Sequence, residues 1–71
     1  MTINRFLLIG GFEENIKIYD IRKKREVGLL EGHNGTITVI RNHGGFVFSG
    51  SEDGSIKVWK AKDWALIETL Q

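Results

Sequence analysis

Apolar positions along this chain fall in short bursts rather than in long periodic stretches. Residues 5–10 and 45–50 are apolar runs that each close on Gly, as short buried strands do. Residues 15–20 and 55–60 instead alternate. Ile16 and Ile18 (or Ile56 and Val58) lie on one face and Tyr19 (or Trp59) on the other, the period-two signature of a strand. Glu13-Glu14 and Glu52-Asp53-Gly54 supply turns that join each run to its alternating partner as a hairpin. Arg22-Lys23-Lys24 and Ala61-Lys62-Asp63 form the next turns, ahead of outer strands at 26–30 and 65–70. Residues 35–41, rich in β-branched side chains, add a strand before the second hairpin. The pattern predicts seven strands, three in a first unit and four in a second. Ala, Leu and Glu in residues 63–71 also suit a helix, but the repeat match to 25–30, with Val27 and Gly28, favours a strand.

The two units are copies. Ile16-Lys17-Ile18-Tyr19 returns forty positions later as Ile56-Lys57-Val58-Trp59, with Val27 returning as Ile67 and Leu30 as Leu70. Upstream, Gly11 and Glu13 match Gly50 and Glu52 at an offset of thirty-nine, which places one added residue, Gly54, in the second turn. Forty residues is the length of a four-stranded propeller blade. The fold class is therefore all-β, built of antiparallel β-propeller blades. About one and three-quarter blades are present: a partial blade at residues 1–33 and a second blade at 34–71.

Composition restricts what else the chain is able to do. At 71 residues it would bury only roughly 60% of its unfolded surface. With no Cys and two His, neither disulfides nor a metal staple is available to it. The apolar stretch Phe6-Leu7-Leu8-Ile9 is too short for a signal-peptide core. A net charge of +1 sets up no strong global field for nucleic acid. Gly10-Gly11 and Gly44-Gly45 lack the Lys-Ser/Thr and helix of a phosphate loop. His33 and His43 have no acidic partner set around them. No cofactor, metal, membrane or small-molecule substrate is expected.

Gly32-His33, then Ser49-Gly50, Asp53 and Trp59, stand at spacings that resemble a WD repeat in register. The resemblance runs from about Arg5 to Gln71 and implies that His33, Ser49, Asp53 and Trp59 form the structural tetrad of one blade. A buried imidazole needs partners for both ring nitrogens, and a turn Asp and a strand Ser provide them in series toward the indole N–H. The same Ser, His and Asp invite comparison with a hydrolytic triad. Ser49 sits in a strand with no oxyanion hole evident, so no catalytic residue is expected. The first unit departs from the motif: Gly10 stands in the place of Ser49, Tyr19 replaces Trp59, and Glu14 stands nearest the turn Asp.

Finer features are similar to the PAK-interacting WD-repeat family. They are Ile18 to Lys24, His33-Asn34-Gly35-Thr36-Ile37-Thr38, Glu52-Asp53-Gly54 and the Lys62-Asp63-Trp64 turn. That resemblance implies a seven-bladed ring and a nuclear, nucleolar protein. It also implies a scaffold in large-ribosomal-subunit assembly, with ribosome-assembly proteins and possible ribosomal RNA contacts as partners. An adaptor in kinase regulation or a ubiquitin-ligase substrate receptor is the alternative.

By the same resemblance, the partner-binding rim holds Glu13, Thr36, Thr38 and Glu52. Arg22, Lys23, Lys24 and Arg25 form the one dense charge run, a candidate patch for RNA phosphates or a hairpin whose charges discourage edge pairing. Trp64 is expected to cover a blade edge, or else to anchor a partner. Two blades alone leave apolar faces open. The expected neighbours are further blades, from a longer chain or by self-association.

Overall fold

The computed structural model describes residues 2–10 and 14–71, and places them in eight strands with no helix. They are β1 (Thr2–Ile3), β2 (Phe6–Ile9), β3 (Ile16–Asp20), β4 (Arg25–Leu30), β5 (Ile37–His43), β6 (Phe46–Ser51), β7 (Ile56–Lys60) and β8 (Leu66–Leu70). They form two four-stranded antiparallel sheets, β1-β2-β3-β4 and β5-β6-β7-β8. Residues 66–70 are strand, which rules out the helical alternative.

The count is eight rather than seven because Thr2 and Ile3 pair with Leu7 and Phe6. This short strand is the repeat counterpart of Asn42 and His43, which pair with Val47 and Phe46 forty positions later. Two residues carry no readable alternation, so the sequence pattern passed over them.

The registers also correct the repeat alignment. Leu8 faces Ile18 in the first sheet, and Phe48 faces Val58 in the second. Both pairs differ by forty, and so do Ile16↔Leu30 and Ile56↔Leu70. The bulge between Ile18 and Tyr19 returns between Val58 and Trp59. Left-handed backbone repeats with the same step, at Asn4 and Gly44 (φ 55 and 57) and at Lys24 and Trp64 (φ 57 and 64). The repeat is therefore uniform, and Gly54 is not an insertion. Ile9, rather than Gly10, stands where Ser49 does, because Ile9 pairs with Lys17 and Ser49 with Lys57. By the same step Glu13, outside the described residues, corresponds to Asp53.

The core lies between the sheets. Leu8, Ile16, Ile18 and Leu30 from the first meet Ile37, Val47 and Trp59 from the second. Ile3, Phe6, Ile40, Ala61 and Trp64 pack around them. Opposite parities of β3 and β7 are buried: Ile16 and Ile18 in one, Lys57 and Trp59 in the other. Two sheets stacked as successive blades present unlike faces to each other, and this parity switch follows from that. The outward faces keep Ile9, Val27 and Leu29 exposed on the first sheet, and Val39, Phe46, Ile56 and Leu70 on the second.

Candidate functional site

The segment entering the second sheet passes through Gly32, whose φ of 140° lies outside the range comfortable for other residues. A side chain there would also press on the Lys57 stem, with Cε 3.3 Å from a Cβ. This tight passage delivers His33, which is buried, to the ends of β6 and β7.

There the imidazole joins a chain of hydrogen bonds whose direction can be worked out from its two ends. Trp59 Nε1–H, a donor only, gives its proton to Ser49 Oγ at 2.9 Å. At the other end, Ser55 Oγ donates to Asp53 Oδ1 at 2.6 Å. Ser55 Oγ therefore accepts from His33 Nδ1 at 3.1 Å, and Asp53 Oδ2 shares the same proton at 3.3 Å. With the proton assigned to Nδ1, Nε2 accepts from Ser49 O–H at 2.7 Å. Every polar hydrogen in the run from Trp59 through Ser49 and His33 to Ser55 and Asp53 has an acceptor.

The turn between β6 and β7 holds Asp53 in place. Ser51 Oγ accepts the Asp53 N–H at 3.2 Å, and Asp53 Oδ1 accepts the Ser55 N–H at 2.8 Å. Short polar side chains two residues apart each fold the backbone onto themselves in this way. Asp53 Oδ2 also accepts the Asn34 N–H at 2.8 Å, tying the incoming segment to the turn. The Ser55 hydroxyl and the N–H groups of Asn34 and Ser55 hold the Asp53 carboxyl far below its ordinary range, against the opposing effect of burial.

Sequence reading passed over Ser51 and Ser55. The available signal was the Ser-x-Asp-x-Ser spacing around Asp53. Asp20, which the sequence shows following the aromatic of the first unit where the second has Lys60, is the first sheet's own anchor, a role the sequence pattern did not assign. Asp20 is buried, accepts the N–H groups of Arg22 and Lys23 at 2.9 and 3.0 Å, and lies 3.1 Å from Arg5 Nε. Burial raises its pKa, but the two N–H groups and the Arg5 charge outweigh that and leave it lowered. Lys60 occupies the same repeat position in the second sheet and is exposed.

The remaining candidates fall at the two ends of the sheets. Thr36 and Glu52 are neighbours at the Asp53 end, where Glu52 N–H donates to Thr36 O at 2.9 Å; exposed Thr38 lies just beyond. Glu13 lies outside the described residues. Arg22, Lys23, Lys24 and Arg25 are all exposed at the opposite end. Trp64 is half-buried and meets Phe6 of the first sheet edge-on, with ring centres 5.5 Å apart at 90°. A cleft of about 470 Å³ between β2 and β5 is lined by residues 7–10 and 37–41, with Thr38 and Arg41 as its polar side chains. Among the described residues, no group of three or more His, Cys, Asp or Glu is placed to hold a metal ion. No helix among them is long and apolar enough to cross a membrane.

Residues 24–60, which include the His33–Trp59 network, match the family model "WD domain, G-beta repeat". The chain is a WD-repeat protein. Its WD repeats are 46% identical over 69 residues to p21-activated protein kinase-interacting protein 1-like of Xenopus laevis, covering 96% of this chain and 19% of that protein. Protein MAK11 of Saccharomyces cerevisiae is 33% identical over 84 residues, covering 94% and 20%. The crystal structure of the RRP9 WD40 repeats superimposes with a TM-score of 0.80 at 25% identity, covering 93% of this chain and 21% of that one. The WD-repeat chain thus spans about a fifth of the length of the curated relatives it matches. Its two sheets are blades of a propeller.

Proposed function

We propose that this WD-repeat chain is a non-catalytic scaffold that docks assembly proteins during formation of the large ribosomal subunit. In this reading His33, Ser49, Asp53 and Trp59 are structural, and Thr36, Thr38 and Glu52 present the docking rim.

The observation that carries the non-catalytic part is the state of Ser49. Its hydroxyl is fully buried, donates to His33 and accepts from Trp59, so no substrate reaches it. A serine nucleophile needs an exposed oxygen beside its base. The pathway is supported by 33% identity to Protein MAK11 of Saccharomyces cerevisiae and by 33% identity to a U3 snoRNP-associated protein-like protein of Arabidopsis thaliana. The relatives' names also support a second reading, an adaptor in kinase regulation.

Sucrose-gradient sedimentation of extracts containing the tagged protein separates the two. Migration with large-subunit precursors, together with a fall in free large subunits on depletion, is expected. Recovery with a kinase in light fractions, at unchanged subunit levels, favours the adaptor.

A further inference from the structure

The net charge of +1 conceals a sorting of charge between the two ends of the blades. The turns fall alternately at one end and the other, as antiparallel order requires. At the Asp53 end lie residues 14–15, 31–36 and 51–55, which contain Glu14, Glu31, Glu52 and Asp53 and neither Lys nor Arg. At the opposite end lie the β3–β4 and β7–β8 turns with Arg22, Lys23, Lys24, Arg25, Lys60 and Lys62, all exposed. Among the described residues none of these six forms a salt bridge. Asp20 is buried and already paired with Arg5, which leaves Glu26 and Asp63 as the nearby carboxylates, and Asp63 accepts the Ala65 N–H.

The two basic turns are held on one rim. Ile21 N–H donates to Arg5 O, Ala61 N–H donates to Gly45 O, and Phe6 meets Trp64 across the sheets. The Arg22–Lys23 turn is fixed through its main chain by Asp20, so its side chains are free to reach outward.

We infer that this basic rim binds the phosphate backbone of RNA, without reading sequence. Six exposed cations on adjoining turns would neutralise several phosphates at once and release their counterions. A protein partner fits less well, since hot spots need aromatic anchors that a partner can cover. At this end Phe6 and Trp64 are engaged with each other, and Phe46, which pairs with Lys60, lies on the outward face of the second sheet rather than among the basic turns. The inference does not depend on the pathway proposed above. It concerns the end of the blades opposite Thr36 and Glu52.

The test is fluorescence anisotropy of a labelled single-stranded RNA with the chain, titrated with salt. Affinity is expected to fall with salt on a log–log slope of about −0.7 per phosphate engaged. The triple variant Arg22→Gln/Lys23→Gln/Lys62→Gln is expected to flatten that slope by about 2 and weaken binding at least tenfold, with an unchanged circular dichroism spectrum. A second variant, Lys60→Gln, should lower the slope by about 0.7, whereas Glu31→Gln, an exposed carboxylate at the other end, should leave it unchanged. Absence of RNA binding overturns the inference, as does a triple variant that is folded and binds as the parent does. Equal competition by polyglutamate assigns the rim to an acidic protein and also overturns it. Purified components and bare RNA keep this result separate from sedimentation with precursors.

Discussion

Ile16 and Ile56 occupy the same position of the forty-residue repeat, yet Ile16 is 0% exposed and Ile56 is 46% exposed. Their strand partners follow suit: Leu30 is 2% exposed and Leu70 is 45% exposed. The second sheet covers the first pair, and among the described residues no sheet covers the second. Ile16→Ala is therefore expected to destabilise the fold by about 2–5 kcal/mol. Ile56→Ala should cost about 1 kcal/mol or less, as at a half-exposed position. Urea midpoints of the two variants check this, and equal losses would contradict the assignment of Ile56 to an open face.

Ser49 is the link through which Trp59 and His33 reach each other. Ser49→Ala leaves the indole N–H and the imidazole Nε2 buried without their partner, for a loss of about 1–3 kcal/mol. Thermal melts should show a lower midpoint for a chain that still folds, and His33→Ala combined with Ser49→Ala should lose less than the two single changes summed.

Acid should weaken this fold through Asp53 and Asp20. Both carboxyls are held below their ordinary value of 3.8 in the folded chain. The unfolded chain therefore binds protons first as pH falls. The stability these groups contribute is present in full above 3.8 and lost as pH drops through the lowered folded values. Urea midpoints measured between about pH 6 and pH 2 should decline below about pH 4, and the decline should be shallower in Asp53→Asn. An identical decline in that variant would remove Asp53 from the account.

Gly35 has no room for a side chain. A Cβ there would stand 2.8 Å from the Asp53 main-chain nitrogen and 3.2 Å from Ser51 Oγ. Gly35→Ala must push the turn away from the incoming segment, which also stretches the Asn34 to Asp53 hydrogen bond. A loss of about 1–3 kcal/mol is expected, comparable to overpacking elsewhere. Gly44→Ala, which meets no neighbour, serves as a comparison for backbone strain alone.

Much of the architecture is legible without coordinates. The alternation at 15–20 and 55–60 and the forty-residue return identify strands and blades, because side-chain period and repeat length are properties of the chain itself. The spacing of His33, Ser49, Asp53 and Trp59 likewise puts these four on one shortlist, and the hydrogen bonds join them. Ser51 and Ser55 went unnoticed because small polar residues in a turn look alike until their acceptors are placed. The thirty-nine-residue offset was a local identity match. Hydrogen-bond registers, which count both strands of a hairpin, give forty throughout.

Other features depend on what each residue meets across space. Nothing in the letters of Ile16 and Ile56 separates the buried one from the exposed one; the neighbouring sheet does. Nor does the run from Arg22 to Arg25 reveal Lys60 and Lys62 at the same rim, since the stacking of the two sheets is what sets the β3–β4 and β7–β8 turns side by side. Sequence by itself determined seven of the eight strands, the repeat and the polar residues fit for a buried network. Tertiary structure decided which faces are covered, which hydroxyls close the network and where the charges gather, because burial, hydrogen bonding and electrostatic fields act between residues that only folding makes neighbours.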